Sequence, residues 1–83
     1  MQEEIRFINK KEAQQLLDGD SDGNYRPLGK FIFVDIVNDE PVFVAIDNST
    51  GEAFTEEFRT RYSATLYLHG RPCTNIYGEK LNS

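Results

Sequence analysis

The densest apolar pattern lies in the middle of the chain. Lys30 to Val37 is rich in β-branched and aromatic residues, and Val42 to Asp47 repeats that composition. Both segments are read as strands, over about residues 30–37 and 42–47. Asn38-Asp39-Glu40-Pro41 between them is a short hairpin connection. Asn48-Ser49-Thr50-Gly51 forms a second turn, in which Asp47 and Asn48 side chains bond the following backbone and Gly51 supplies a positive φ. A third strand follows over about 53–58.

The flanks have helical spacing. Asn9 is a capping residue with Glu12 three positions on, and Ile8 is placed to staple onto Ala13. Ala13, Leu16 and Leu17 share one face of a helix over about 10–18. A polar, turn-rich loop, 19–29, leads to the first strand. Thr60 caps a last helix over about 61–69, with Tyr62, Leu66 and His69 along one side, and Gly70 and Pro72 stop it. The predicted fold is α+β: helix, three-stranded antiparallel β-meander, helix, with a partly ordered tail from 71 to 83 in which Ile76-Tyr77 is placed to dock on the sheet.

Alternation gives this sheet two apolar faces. Phe31 and Phe33 oppose Ile32, Val34 and Ile36 on the first strand, and Val42, Val44 and Ile46 oppose Phe43 and Ala45 on the second. If both short helices pack on one face, the other needs the tail, a partner or a second copy to cover it. A homodimer through the sheet is one expectation.

With 83 residues, the chain holds a single domain. Its longest apolar run, Phe31 to Val34, is far short of the ~20 residues of a membrane helix. The start, Met1-Gln2-Glu3-Glu4-Ile5, is acidic where a secretory leader is basic. One cysteine, Cys73, leaves no intramolecular disulfide and no multi-cysteine zinc site. The expected setting is the cytoplasm.

The net charge of −5 argues against a nucleic-acid binder that works by neutralising phosphates. It is unevenly placed: residues 31–58 hold seven acids and no Lys or Arg, while 59–83 hold four bases and one acid. That asymmetry predicts a basic protein partner, or a second copy meeting basic end to acidic sheet. The candidate partner-binding residues are Phe31, Phe33, Phe43, Asp47, Glu52, Glu56 and Glu57.

Catalytic constellations are sparse. His69 and Cys73 lie four residues apart across Gly70 and Pro72, with nothing third to orient the imidazole. Glu56 and Glu57 are neighbours on a strand and point to opposite faces, the wrong geometry for a shared acid–base site. The expectation is a non-catalytic chain with no cofactor. One local motif offers an alternative. Asp18, Asp20, Asp22 and Gly23 match positions one, three, five and six of an EF-hand calcium loop, and the Asn24 carbonyl adds a further oxygen. The twelfth position, where a bidentate Glu belongs, is Gly29, and Pro27 opposes an exiting helix. The alternative function is therefore a weak calcium-binding module.

The string Phe43-Val44-Ala45-Ile46-Asp47-Asn48, running through Thr50-Gly51 into Phe54-Thr55-Glu56-Glu57-Phe58, resembles a stretch in short uncharacterised proteins encoded by phages and prophages of Gram-positive bacteria. The likeness spans roughly residues 29–70 and departs at Phe54, where Trp is commoner, and in the acidic loop 18–24. It implies no activity. It implies a small cytoplasmic accessory protein made in an infected or lysogenic bacterial cell; the acidic sheet adds the expectation that it acts by protein–protein interaction.

Overall fold

The computed structural model describes residues 5–18 and 28–82. It is a mixed α/β fold with two helices, a four-stranded sheet and a separate two-stranded ribbon. The elements in chain order are β1 (Ile5–Phe7), α1 (Lys10–Asp18), β2 (Gly29–Val37), β3 (Glu40–Asn48), β4 (Phe54–Phe58), α2 (Arg61–Leu68), β5 (Cys73–Thr74) and β6 (Lys80–Leu81). The sheet order is β1-β2-β3-β4, with β2-β3-β4 antiparallel as predicted.

The helix–meander–helix arrangement needs two corrections. First, a strand precedes α1 and pairs in parallel with β2, Ile5 opposite Lys30 and Phe7 opposite Ile32. Parallel neighbours need a crossover, which α1 supplies, so the N-terminal half is a β-α-β unit. Three residues are too few to display a period, and the middle one is Arg6. Second, the tail is ordered: β5 and β6 pair into a ribbon, Cys73 opposite Leu81.

Local chemistry fixes the ends of the elements. The Glu12 N–H donates to Asn9 Oδ1 at 2.7 Å and the Asn9 N–H to Glu12 Oε1 at 3.2 Å, a reciprocal capping box at the start of α1. Ser63 N–H donates to Thr60 Oγ1 at 3.1 Å at the start of α2. At its end Gly70 takes φ +73, and Arg71 N–H reaches back to the Leu66 carbonyl at 2.9 Å, a Schellman closure. The β2–β3 turn is tighter than the sequence suggested. Only Asn38 (φ +53) and Asp39 (φ +64) lie outside the strands, the type I′ geometry whose twist matches the sheet. Pro41 is therefore a strand residue, opposite Ile36.

The helices lie on opposite faces. On one, α1 sets Ala13 and Leu16 against Phe31, Phe33, Val42, Val44 and Ile46. On the other, α2 sets Ala64 and Leu68 against Ile32, Ala45 and Phe58. The C-terminal ribbon straddles the β4 edge: Cys73 and Leu81 pack on the α2 side, while Ile76 packs on the α1 side. Ile76 N–H donates to the Glu57 carbonyl at 3.0 Å, so the ribbon also occupies part of an open sheet edge.

Candidate functional site

The predicted partner-binding set divides once the chain is folded. Phe31 and Phe33 are buried beneath α1 and present no surface. The reason is topological: with a helix on each face, neither aromatic row is left bare, and Phe43 is half-buried beside the α2-side core. A sheet-face homodimer through Phe31 and Phe33 is excluded by the same packing.

Most of the acids hold the fold together. Asp47 Oδ1 accepts from the Ser49 N–H at 3.1 Å and its hydroxyl at 2.6 Å, building the predicted turn, and Gly51 closes it at φ +88. Glu56 and Glu57 do point to opposite faces, opposite Ala45 and Val44, yet the straddling ribbon meets both. Asn75, only 5% exposed, donates through Nδ2 to Glu56 Oε1 at 3.1 Å and Glu79 Oε1 at 2.9 Å. Its Oδ1 accepts from the Tyr77 and Glu79 N–H groups, both at 3.0 Å. Tyr77 hydroxyl donates to Glu57 Oε1 at 3.1 Å. Only Glu52, exposed in the β3–β4 turn, lacks such a role.

The electrostatics agree with a structural role. Burial pushes the Tyr67 phenol up, reinforced by Glu56, Asp47 and Cys73. Its hydrogen bond to Glu57 pushes Tyr77 up. Burial, then Glu56, pushes the Cys73 thiol up, away from the thiolate a nucleophile needs. His69 is exposed at the α2 C-terminus and Cys73 is half-buried. Of the calcium loop, Asp20, Asp22 and Asn24 lie outside the described residues, and Asp18 closes α1. Among the described residues no group of three His, Cys, Asp or Glu side chains is placed to hold a metal ion. No described helix is long and apolar enough to cross a membrane.

The surface that stands out shares only Phe43 with the predicted site residues. β2 and β3 run past both neighbours: β1 ends opposite Ile32, and β4 ends opposite Phe43. The chain must leave β4, turn through Arg59 and Thr60, and only then start α2. The helix runs away from the hairpin turn, so that Lys30 Nζ, at the far end of β2, donates to the Leu68 carbonyl at 2.6 Å. The α2-side face of the projecting tip is left bare. Val34 is 46% and Ile36 64% exposed there, with Phe43 and Pro41 opposite them on β3. Phe7, 56% exposed, continues the row at the end of β1, and Tyr62, 73% exposed, stands on the first turn of α2. Arg61 lies over the Phe7 ring, 4.8 Å from its centroid.

Both open edges of this tip are blunted. The Ile36 N–H is taken by Asp35 Oδ1 at 2.9 Å, and Lys10 Nζ sits 3.5 Å from the same oxygen. Pro41 on the β3 side has no N–H to offer. A strand cannot readily be added here, so the tip offers a face and not an edge. Alternation along β2 and β3 was the available signal, since it already placed Val34 and Ile36 together on one face.

Comparison with known proteins adds no relative: no family model matches the chain, and no curated protein or solved structure is significantly similar to it.

Proposed function

We propose that this chain is a non-catalytic protein-interaction domain that binds through the bare α2-side face of the β2–β3 hairpin tip. One observation carries the reading: Val34 and Ile36 on β2 and Phe7 at the end of β1 are large apolar side chains, each about half exposed or more, that share one face of the sheet at its projecting end. Contiguous apolar surface of this kind marks contact sites, whereas scattered exposed residues do not. Three of the four acids first assigned to partner binding, Asp47, Glu56 and Glu57, are engaged within the chain, which moves the contact from the acidic region to the apolar tip. The accessory role in a bacterial cell carrying a phage or prophage remains part of the proposal, on the likeness of residues 29–70 alone.

The test is affinity capture from bacterial lysate with the wild-type chain, Ile36→Asp and Glu52→Gln side by side. Binding through the tip predicts a partner retained by wild type and Glu52→Gln, lost with Ile36→Asp and persistent at high salt. A partner lost at high salt and with Glu52→Gln, but kept by Ile36→Asp, would return the contact to the acidic region.

A further inference from the structure

We infer that the C-terminal ribbon is an edge guard: it closes β4 to added strands, and releasing it turns β4 into a strand-pairing site. The inference concerns an edge of the sheet and not the face of the hairpin tip, so it stands apart from the reading above.

The other open stretches of the sheet are blunted by their own residues. β1, the strand at one edge, is only three residues long. On the projecting part of β2, Asp35 takes the Ile36 N–H, and on that of β3, Pro41 has no N–H to give. Short strands, prolines and self-capped amides are poor templates for a further strand. β4, the strand at the other edge, has none of these devices. It is five residues long, Phe54-Thr55-Glu56-Glu57-Phe58, and aromatic or β-branched at three of them.

What closes β4 is a turn. The Ile76 N–H donates to the Glu57 carbonyl at 3.0 Å, so that carbonyl points away from β3. Alternation along the strand then points the Thr55 N–H and C=O outward too, and these are the groups a further strand would use. Asn75 and Tyr77 flank Ile76 and take the two acids of β4. Asn75 Nδ2 donates to Glu56 at 3.1 Å, and the Tyr77 hydroxyl donates to Glu57 at 3.1 Å. The segment is not itself a strand. The Asn75 carbonyl accepts from the Gly78 N–H at 3.1 Å, and the Asn75 N–H donates to the Glu79 carbonyl at 3.0 Å. A strand in this place would only move the open edge outward; a closed turn takes the Glu57 carbonyl and offers no new edge. Buried Asn75 shapes the turn through Oδ1 and grips β4 through Nδ2, so the turn and its hold on the edge are lost together.

The strand left behind is competent to pair. Two β4 strands set antiparallel about Thr55 place Glu56 opposite Phe54 and Glu57 opposite Ala53, so no acid stands directly opposite another. The charges of β4 alone therefore do not close this edge.

Sedimentation velocity on the full chain tests the inference, with wild type, Asn75→Ala, Thr55→Pro and the double variant compared at equal concentrations. All four carry the same hairpin tip, so any contact made there is common to them. Asn75→Ala is expected to raise the self-association constant about tenfold or more, as hydrogen exchange across 73–81 speeds up. Adding Thr55→Pro should return association to within about twofold of wild type, because it removes an outward N–H from the edge. Thr55→Pro alone should keep the wild-type far-ultraviolet spectrum, since that N–H faces away from β3. If Asn75→Ala does not fold, Tyr77→Phe with and without Thr55→Pro carries the same comparison, with a rise of about threefold expected. A ribbon variant that associates no more than wild type overturns the inference. So does association that Thr55→Pro leaves undiminished, because uncovered apolar surface and not the β4 edge would then be its cause.

Discussion

The two faces of the sheet are made from the same two strands and end up differently covered. On the α1 face, a helix with two fully buried side chains closes over five apolar strand residues, Phe31, Phe33, Val42, Val44 and Ile46. The α2 face receives a helix and a ribbon, yet leaves Val34, Ile36 and Phe7 in solvent. Hydrophobicity does not separate the two, since Ile36 is as apolar as Ile46. Chain routing does. α1 arrives from β1 and can lie across the hairpin, whereas α2 cannot begin until β4 has ended, and it then runs away from the tip. Covered surface contributes to stability and bare surface does not, so substitutions should sort by position along the α2 face.

The largest effect is expected at its covered end. Phe58 is 0% exposed, with its ring 5.5 Å from that of Tyr67, and Phe58→Ala should lower stability by about 3–5 kcal/mol. Ile32→Ala, also at 0% exposure, should cost about 2–4 kcal/mol. Both losses are a large fraction of the roughly 5–15 kcal/mol that holds a domain together. Urea denaturation measures them, and a loss under about 1 kcal/mol at Phe58 would mean that the α2 layer is not packed as described.

Asn75→Ala should come next, because this side chain staples the C-terminal ribbon to β4. The side chain makes four hydrogen bonds, and its loss leaves backbone N–H groups of Tyr77 and Glu79 without their acceptor. The expected cost is about 2–3 kcal/mol. Hydrogen exchange should show the 73–81 ribbon opening before the α1 face does.

The contrast between faces also explains what the sequence disclosed. The meander was legible because nine-residue strands show their alternation, and both helix starts were legible because Asn9, Glu12 and Thr60 cap by their own chemistry. β1, β5 and β6 were not, because two or three residues carry no period and their stability comes from what they pair with. The buried state of Phe31 and Phe33 could not be read from alternation, which gives two faces but not which helix covers which. Asn75 carries no signal of its own in the sequence, since the fold is what brings it to Glu56. The exposed tip, by contrast, needed knowledge of where β1 and β4 stop.

Alkaline pH should then act where the ribbon and α2 meet β4. Tyr67, Tyr77 and Cys73 all hold their protons more tightly in the folded chain than at their ordinary values of 10.0, 10.0 and 9.0. Below those values both states are protonated and the three groups leave stability unchanged. As pH rises through them the unfolded chain ionises first, so stability falls until the folded groups ionise too. Thermal melts should be flat near neutrality and decline from about pH 9 upward. Tyr77→Phe should remove part of that decline, and iodoacetamide should alkylate Cys73 more slowly than an unperturbed thiol at neutral pH. An increase in melting temperature across the same range would contradict the packing of the ribbon around Glu56 and Glu57.

The smallest stability effect is expected at Ile36, four residues beyond Ile32 on the same strand and the same face. Ile36 is 64% exposed, so truncation removes little apolar contact with the rest of the chain and leaves no cavity. Ile36→Ala should change stability by no more than about 0.5 kcal/mol when measured at the lowest workable concentration. A loss comparable to that of Ile32→Ala would mean that something within the chain covers the tip. A near-zero value beside the large cost at Ile32 has a different consequence. Folding alone then gives no reason for β2 to carry a large aliphatic side chain at this position, and the reason lies in what the tip contacts outside its own chain.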